Sequence, residues 1–382
     1  MTTDGQALRG GKATMSSERH TGASSLLRRI ETVFDARALG RALFALVPLL
    51  LLALVSGRSE WLTAAIVPVA MLIALDHSQL APLGVFAHAL AISAGFVILM
   101  ASLAHPLLFV VATVLLGMGS VLVTAGGSAL RSLGNFTFIP SLYLACESAE
   151  GVTRQALITR SVEVLPFLLI AALPILLVAS VEHFRSRETG RPTLAHFAKW
   201  TRLFPNSESN AYIELMITVA LAIACAAVLV EWRHVDHGQW MIWSAASVVT
   251  GNAASARQKF RNRLTGAVVG VSFGVVVGLM IPHALFMRVL VVFAAMLTLI
   301  CIRPYTLAFG VRCACAAIAF VLAGKPWIFG GERLLNVAVG SAIGLLCALT
   351  ASAIAAHMKD TCRLTCDSPR SRQDRAGPRS RL

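Results

Sequence analysis

Charge is what this chain has little of: 14% of its 382 residues are Asp, Glu, Lys or Arg, while 57% are hydrophobic and the mean hydropathy is +0.74. That composition excludes an ordinary soluble domain and points to a polytopic membrane protein. Acidic residues are scarcest, 19 against 33 basic ones, for a formal charge of +14. Such an excess would suit nucleic acid if it formed one folded patch. It lies instead in the termini and in short loops between apolar runs, where it sets membrane orientation.

Other absences narrow the chemistry. There is no Walker A loop, no Gly-x-Ser-x-Gly elbow and no His-Glu-x-x-His helix, so no enzyme signature and no internal source of ATP energy are visible. Uphill movement of a solute would have to draw on an ion gradient. Of the eight cysteines, Cys146, Cys225, Cys301, Cys313, Cys315 and Cys347 lie in or beside apolar runs, where cysteine behaves as a small hydrophobe. Cys362 and Cys366 stand four apart without nearby histidines, which matches no established zinc pattern, so neither metal nor cofactor is expected. About forty polar residues precede the first apolar run, which argues against a secretory signal peptide.

What is present is a series of twelve apolar runs, 39–56, 61–76, 83–103, 106–126, 132–147, 161–181, 212–231, 238–250, 264–281, 284–302, 304–323 and 334–356. They predict an all-α protein of about twelve transmembrane helices. Several are shorter than the roughly 20 residues of a straight span, notably 238–250. With the N-terminus inside and sides alternating, cytoplasmic segments hold 25 of the Lys and Arg residues and external segments six, at Arg58, Arg154, Arg160, Arg233, Lys325 and Arg333. Both termini are therefore expected in the cytoplasm. The domain plan is a basic, disordered arm over 1–38, a six-helix half over 39–181, a cytoplasmic connector over 182–211, a second half over 212–357 and a basic, disordered tail over 358–382.

Gly266, Gly270, Gly274 and Gly278 recur every fourth residue behind the basic cluster Arg257, Lys259, Arg261 and Arg263. On a helix they share one narrow face against which a neighbouring backbone can pack, within the chain or between protomers. The halves also resemble each other. Ser59-Glu60-Trp61-Leu62 and Gly238-Gln239-Trp240-Met241 both open an apolar run, 179 residues apart, and at that offset Ala87, Ala91 and Gly95 match Gly266, Gly270 and Gly274. Arg160-x-x-Glu163 and Arg333-x-x-Asn336 form a further pair near the ends of the two halves. Six runs per half give both halves the same orientation.

Ionisable residues inside the runs are the pointers to function, because a charge in hydrocarbon costs several kcal/mol unless compensated. Arg312 stands nine residues beyond Arg303, about 13 Å into a core about 30 Å thick. It either receives a carboxylate substrate or pairs permanently with an acid from another span. Arg288 enters the tenth run from outside and either contacts substrate or snorkels. Glu163 and His88 are the candidates for proton coupling; their alternatives are a local pair with Arg160 and a hydrogen-bonded packing role. Trp240 and Trp243 either anchor the eighth run at the interface or stack on an aromatic solute. Pro48, Pro68, Pro140, Pro166 and Pro174 should kink or interrupt helices.

The stretch from Gln239 and Trp240 through Thr250, Arg257 and Lys259 to Arg263-Leu264-Thr265-Gly266-Ala267-Val268-Val269-Gly270 resembles the fusaric acid resistance (FUSC) family, within the aromatic acid exporter group. In that family a tryptophan-bearing span precedes a short basic loop and an Arg-x-x-Gly small-residue helix. Arg263, Gly266 and Gly270 match that pattern, and Arg333 with Gly340 resembles the later Arg-led span; Asn336 stands where an acid would be more usual. The resemblance is clear over 230–350 and weaker over 40–180. It implies a bacterial inner-membrane protein with two six-helix halves, similar to exporters of aromatic carboxylic acids and, more distantly, to plant malate channels. Many such exporters carry a soluble domain between the halves and use a periplasmic adaptor; the thirty-residue connector is too short for that domain. The expected function is export of an organic carboxylate, with aromatic acids among the candidates, either proton-coupled or passive. The partners expected are the bilayer and a small organic anion, with a homo-oligomer and an adaptor left open and no nucleic acid. A major facilitator transporter is disfavoured because 76–83 lacks any Arg or Lys. A non-transporting envelope scaffold is the competing class.

Overall fold

The computed structural model describes residues 32–78, 80–126, 130–186, 209–326 and 328–366. Residues 1–31 of the expected N-terminal arm, most of the connector and the end of the basic tail lie outside the described residues. Among those described there are thirteen α-helices and no strand.

Ala36–Ser56 (α1) starts at Asp35, whose carboxylate accepts from the Ala38 amide, and ends at Gly57 in the left-handed region. The second run is broken into Glu60–Ala64 (α2) and Ile66–Ser78 (α3). Pro82–Ser102 (α4), Pro106–Leu122 (α5), Arg131–Ala149 (α6) and Leu157–Ser186 (α7) complete the first half. Proline at the first helical position of α4 and α5 fits the place where its missing amide hydrogen is not needed. The second half contains Ser209–Arg233 (α8), Gln239–Val248 (α9), Ala253–Met280 (α10), Leu285–Cys301 (α11), Tyr305–Leu322 (α12) and Ile328–Cys366 (α13).

Each of the twelve apolar runs is helical, with the second in two pieces. Among the described residues nine helices are long and apolar enough to cross a membrane, and α11 is a shorter apolar helix of 17 residues. The helices outside that group are α6, whose 19 residues include Arg131, Asn135 and Glu147, and α9, which has ten residues. Helices run unbroken through Pro48, Pro140, Pro166 and Pro174. Only the second run breaks, three residues before Pro68.

The main core is built around α3. Val67, Ala70, Met71 and Leu72 are fully buried on all its faces, as befits a helix that is apolar all round and has no lipid-facing side. In the second half the glycine face of α10 meets α12. A Cβ at Gly270 would overlap the Gly310 carbonyl and one at Gly274 the Ala314 carbonyl; a Cβ at Gly266 or Gly278 would come within 3.0 Å of Thr306 or Val321. Gly340 and Gly344 of α13 lie as closely on Met241 and Ala245 of α9. In both seams the residue numbers rise together, so the paired helices are parallel. The α4–α6 seam is parallel too: His88 bonds the Phe136 carbonyl at 3.2 Å and Ser141 donates to the Ile92 carbonyl at 3.0 Å.

Ion pairs sort by end. Asp35–Arg303, Arg41–Asp76 and Arg41–Glu182 join the start of α1, the end of α3, the end of α7 and the α11–α12 turn. Arg58–Glu60, Arg160–Glu60, Arg160–Glu163 and Lys325–Glu150 join the α1–α2, α6–α7 and α12–α13 turns. None of these pairs joins one group to the other.

Candidate functional site

The α8–α9 turn sets the site. His234 and His237 both adopt positive φ, 48° and 51°, and the Asn336 side-chain amide of α13 donates to the carbonyls of Asp236 at 2.9 Å and His237 at 3.4 Å. That grip fixes the start of α9. Burial holds the His237 imidazole below its ordinary range, and its ring packs 5.4 Å from Phe320.

One helical turn before Asn336, Arg333 lays its guanidinium 3.7 Å from the centre of the Trp240 ring. Trp240 stacks on Trp243 with centroids 5.4 Å apart and planes 21° from parallel, and Tyr143 of α6 stands 6.0 Å from Trp240. These rings wall a cavity of about 140 Å³, whose floor includes Arg312, Cys315 and Met296. Arg312 donates through Nε to the Thr298 hydroxyl at 3.3 Å. Among the described residues neither Arg312 nor Arg333 has an ion pair. Arg333 is 3% exposed, with Nε and Nη1 buried and without a hydrogen-bond partner.

The cavity continues outward. Tyr143, Glu147, Val292, Ala319 and Phe320 line both it and a vestibule of about 750 Å³, whose other walls include Glu60, Glu150, Arg160, Arg288 and Lys325. Across the two spaces five cationic side chains meet three carboxylates. Glu60 and Glu150 are already paired, with Arg160 and Lys325. The remaining excess is positive, which favours entry of an anion.

Trp240, Trp243, Arg312 and Arg333 are thus brought together, and Arg288 lines the vestibule on the way in. Arg263 is separate. It is 4% exposed, reaches Ser244 of α9 at 2.7 Å and the Tyr305 hydroxyl of α12 at 3.1 Å, and stacks 4.4 Å over Phe309. It braces three helices. Gly266, Gly270, Gly274, Gly278 and Gly340 are seam residues. Glu163 pairs with Arg160 at 3.3 Å outside the cavity. His88 borders a different, largely apolar chamber of about 260 Å³ between α4, α5 and α6.

Tyr143 and Glu147 are the site residues that reading the sequence passed over. The available signal was an acid at the very edge of the run 132–147, one helical turn after a tyrosine.

Residues 215–347 match the family model described as fusaric acid resistance protein-like. No curated protein and no solved structure gives a significant match. The chain is therefore a multi-pass membrane protein whose residues 215–347, the stretch that holds Trp240, Arg312 and Arg333, are similar to the fusaric acid resistance protein-like family.

Proposed function

We propose that the chain is a transporter exporting an organic carboxylate, and that Arg312 and Arg333 receive the carboxylate while Trp240 and Trp243 contact its organic part. The observation that carries this reading is two arginines in one cavity with donors unspent and no acid paired to them. A buried, unpaired guanidinium costs several kcal/mol, and a bidentate carboxylate repays that loss. A tryptophan stack beside it suits an aromatic acid, which has a π-face to offer.

The proposed topology has twelve crossings in two halves, 39–181 and 212–357, with a basic arm before, a connector between and a basic tail after, both termini cytoplasmic, in a bacterial inner membrane. Two observations support it. The ion pairs divide into the two groups that alternating crossings require. The parallel seams α4–α6, α10–α12 and α9–α13 join runs with an odd number of crossings between them, as parallel neighbours must have. The ten residues of α9 cover about 15 Å, half of a core about 30 Å thick, so the bent segment 249–252 has to carry the chain over the rest of this crossing. On this topology the vestibule faces the outside.

The test is efflux of preloaded, labelled benzoate and 4-hydroxybenzoate from cells carrying the protein or an empty vector. Expression-dependent efflux is expected, with loss in Arg312→Ala at unchanged membrane abundance. Equal efflux from both cell lines across aromatic and aliphatic acids would overturn the reading in favour of a scaffold.

A further inference from the structure

Glu147 is the charged residue that both spaces share. It sits in the last turn of α6 and lines the vestibule and the inner cavity alike. Among the described residues its carboxylate has no ion pair and no side-chain hydrogen bond, whereas the other two carboxylates of the vestibule, Glu60 and Glu150, are each held by a cation. It is therefore the one acid there that is free to change its charge without breaking a structural pair.

The groups that face it come from every wall. On its own helix and the turn beyond are Tyr143 and Glu150. From α2 comes Glu60 and from α7 Arg160, bonded to each other. Arg288 projects from α11, and Lys325 approaches from the α12–α13 turn. Arg312 of α12 and Arg333 of α13 lie on the inner side; α9 contributes Trp240 and Trp243 and no titratable group. His237 stands behind Phe320, which borders both spaces.

We infer that Glu147 couples proton binding to anion binding in this cavity, a conclusion that rests on the carboxylate-site reading above. With Glu147 ionised, an arriving carboxylate meets a like charge at the entrance to the two arginines. Protonation from water removes that charge, so proton and anion bind synergistically. By linkage, the bound anion strengthens proton binding by the same factor. The two then cross together without net charge, and export runs on the anion's own outward gradient, while an inward proton gradient opposes it.

The test is calorimetric titration of the purified full chain with benzoate at pH 6 and pH 8, where benzoate itself stays ionised. The wild type should bind about tenfold more weakly at pH 8, a coupling of ordinary size. Glu147→Gln should bind alike at both pH values and so exceed the wild type at pH 8. A second measurement needs no variant: titrations near pH 7 in buffers of different ionisation enthalpy should show net proton uptake on benzoate binding. A wild type that binds equally at both pH values, zero proton uptake, or a pH dependence that persists in Glu147→Gln would overturn the role of Glu147 while leaving the anion site standing. No benzoate binding at either pH would overturn the site and the coupling together.

Discussion

Glu60 and Gln239 occupy matching places in the two halves, each directly before a tryptophan. In the first half Glu60 neutralises Arg160 at 3.2 Å. In the second the matching arginine, Arg333, has no acid and rests on Trp240. One oxygen-for-nitrogen difference therefore accompanies the contrast between a paired arginine and one without an acid. Gln239→Glu should install the missing acid, and benzoate affinity, read by titration, should fall about tenfold while thermal stability in detergent holds. Asp35 supports a different prediction. Its carboxyl is held below the usual range by the Ala38 amide and then by Arg303. A lowered folded-state value means that this contribution is complete at neutral pH and fades as pH falls through that value. Asp35→Asn should therefore lower the melting temperature at pH 7, and the gap from wild type should narrow towards pH 3.

The glycine seam between α10 and α12 makes its prediction at the scale of elements. A larger side chain there must push whole backbones apart, so Gly270→Val should cost about 1–3 kcal/mol or more. Because the seam lies within one chain, the loss should appear as a lower melting temperature and lower membrane abundance with no change in oligomeric state by size-exclusion chromatography. This seam was legible in the sequence, since four glycines at a spacing of four can share only one face of a helix. So were the positions of most helices, because lipid demands long apolar runs, although the break within the second run and the early start of α10 at Ala253 were not. The site was legible only in part. Arg312 announced itself as a charge inside a run, but Arg333 looked like a family-pattern residue before a span, since its partner Trp240 lies 93 positions away. Glu147 stood at the edge of its run, where an acid costs little by sequence reckoning. Only packing reveals that this edge borders a cavity. The run 238–250 was legible as apolar, but its helix α9 has only ten residues and ends before the bend at Gly251.

For the whole molecule, the division of ion pairs into two groups makes a prediction about sides. In a chain with its native cysteines replaced, Arg154→Cys should react with a membrane-impermeant thiol reagent in intact cells. Arg257→Cys should react only after the membrane is opened. Labelling of both from outside would break the alternation on which the outward-facing vestibule depends.

A seam made of bare backbone has a mechanical consequence. Where glycines face carbonyls, as Gly270 faces Gly310 and Gly274 faces Ala314, no side chain is threaded into a socket. Separating the helices there breaks many contacts at once, and sliding one along the other is resisted chiefly at the end of the seam, where Arg263 of α10 holds Tyr305 and Phe309 of α12. The parallel pair α10–α12 is thus stiff across its seam and pinned along it at one end by Arg263. Since α12 carries Arg312, any axial shift of that helix would move one wall of the cavity and would first have to release the Arg263 contacts.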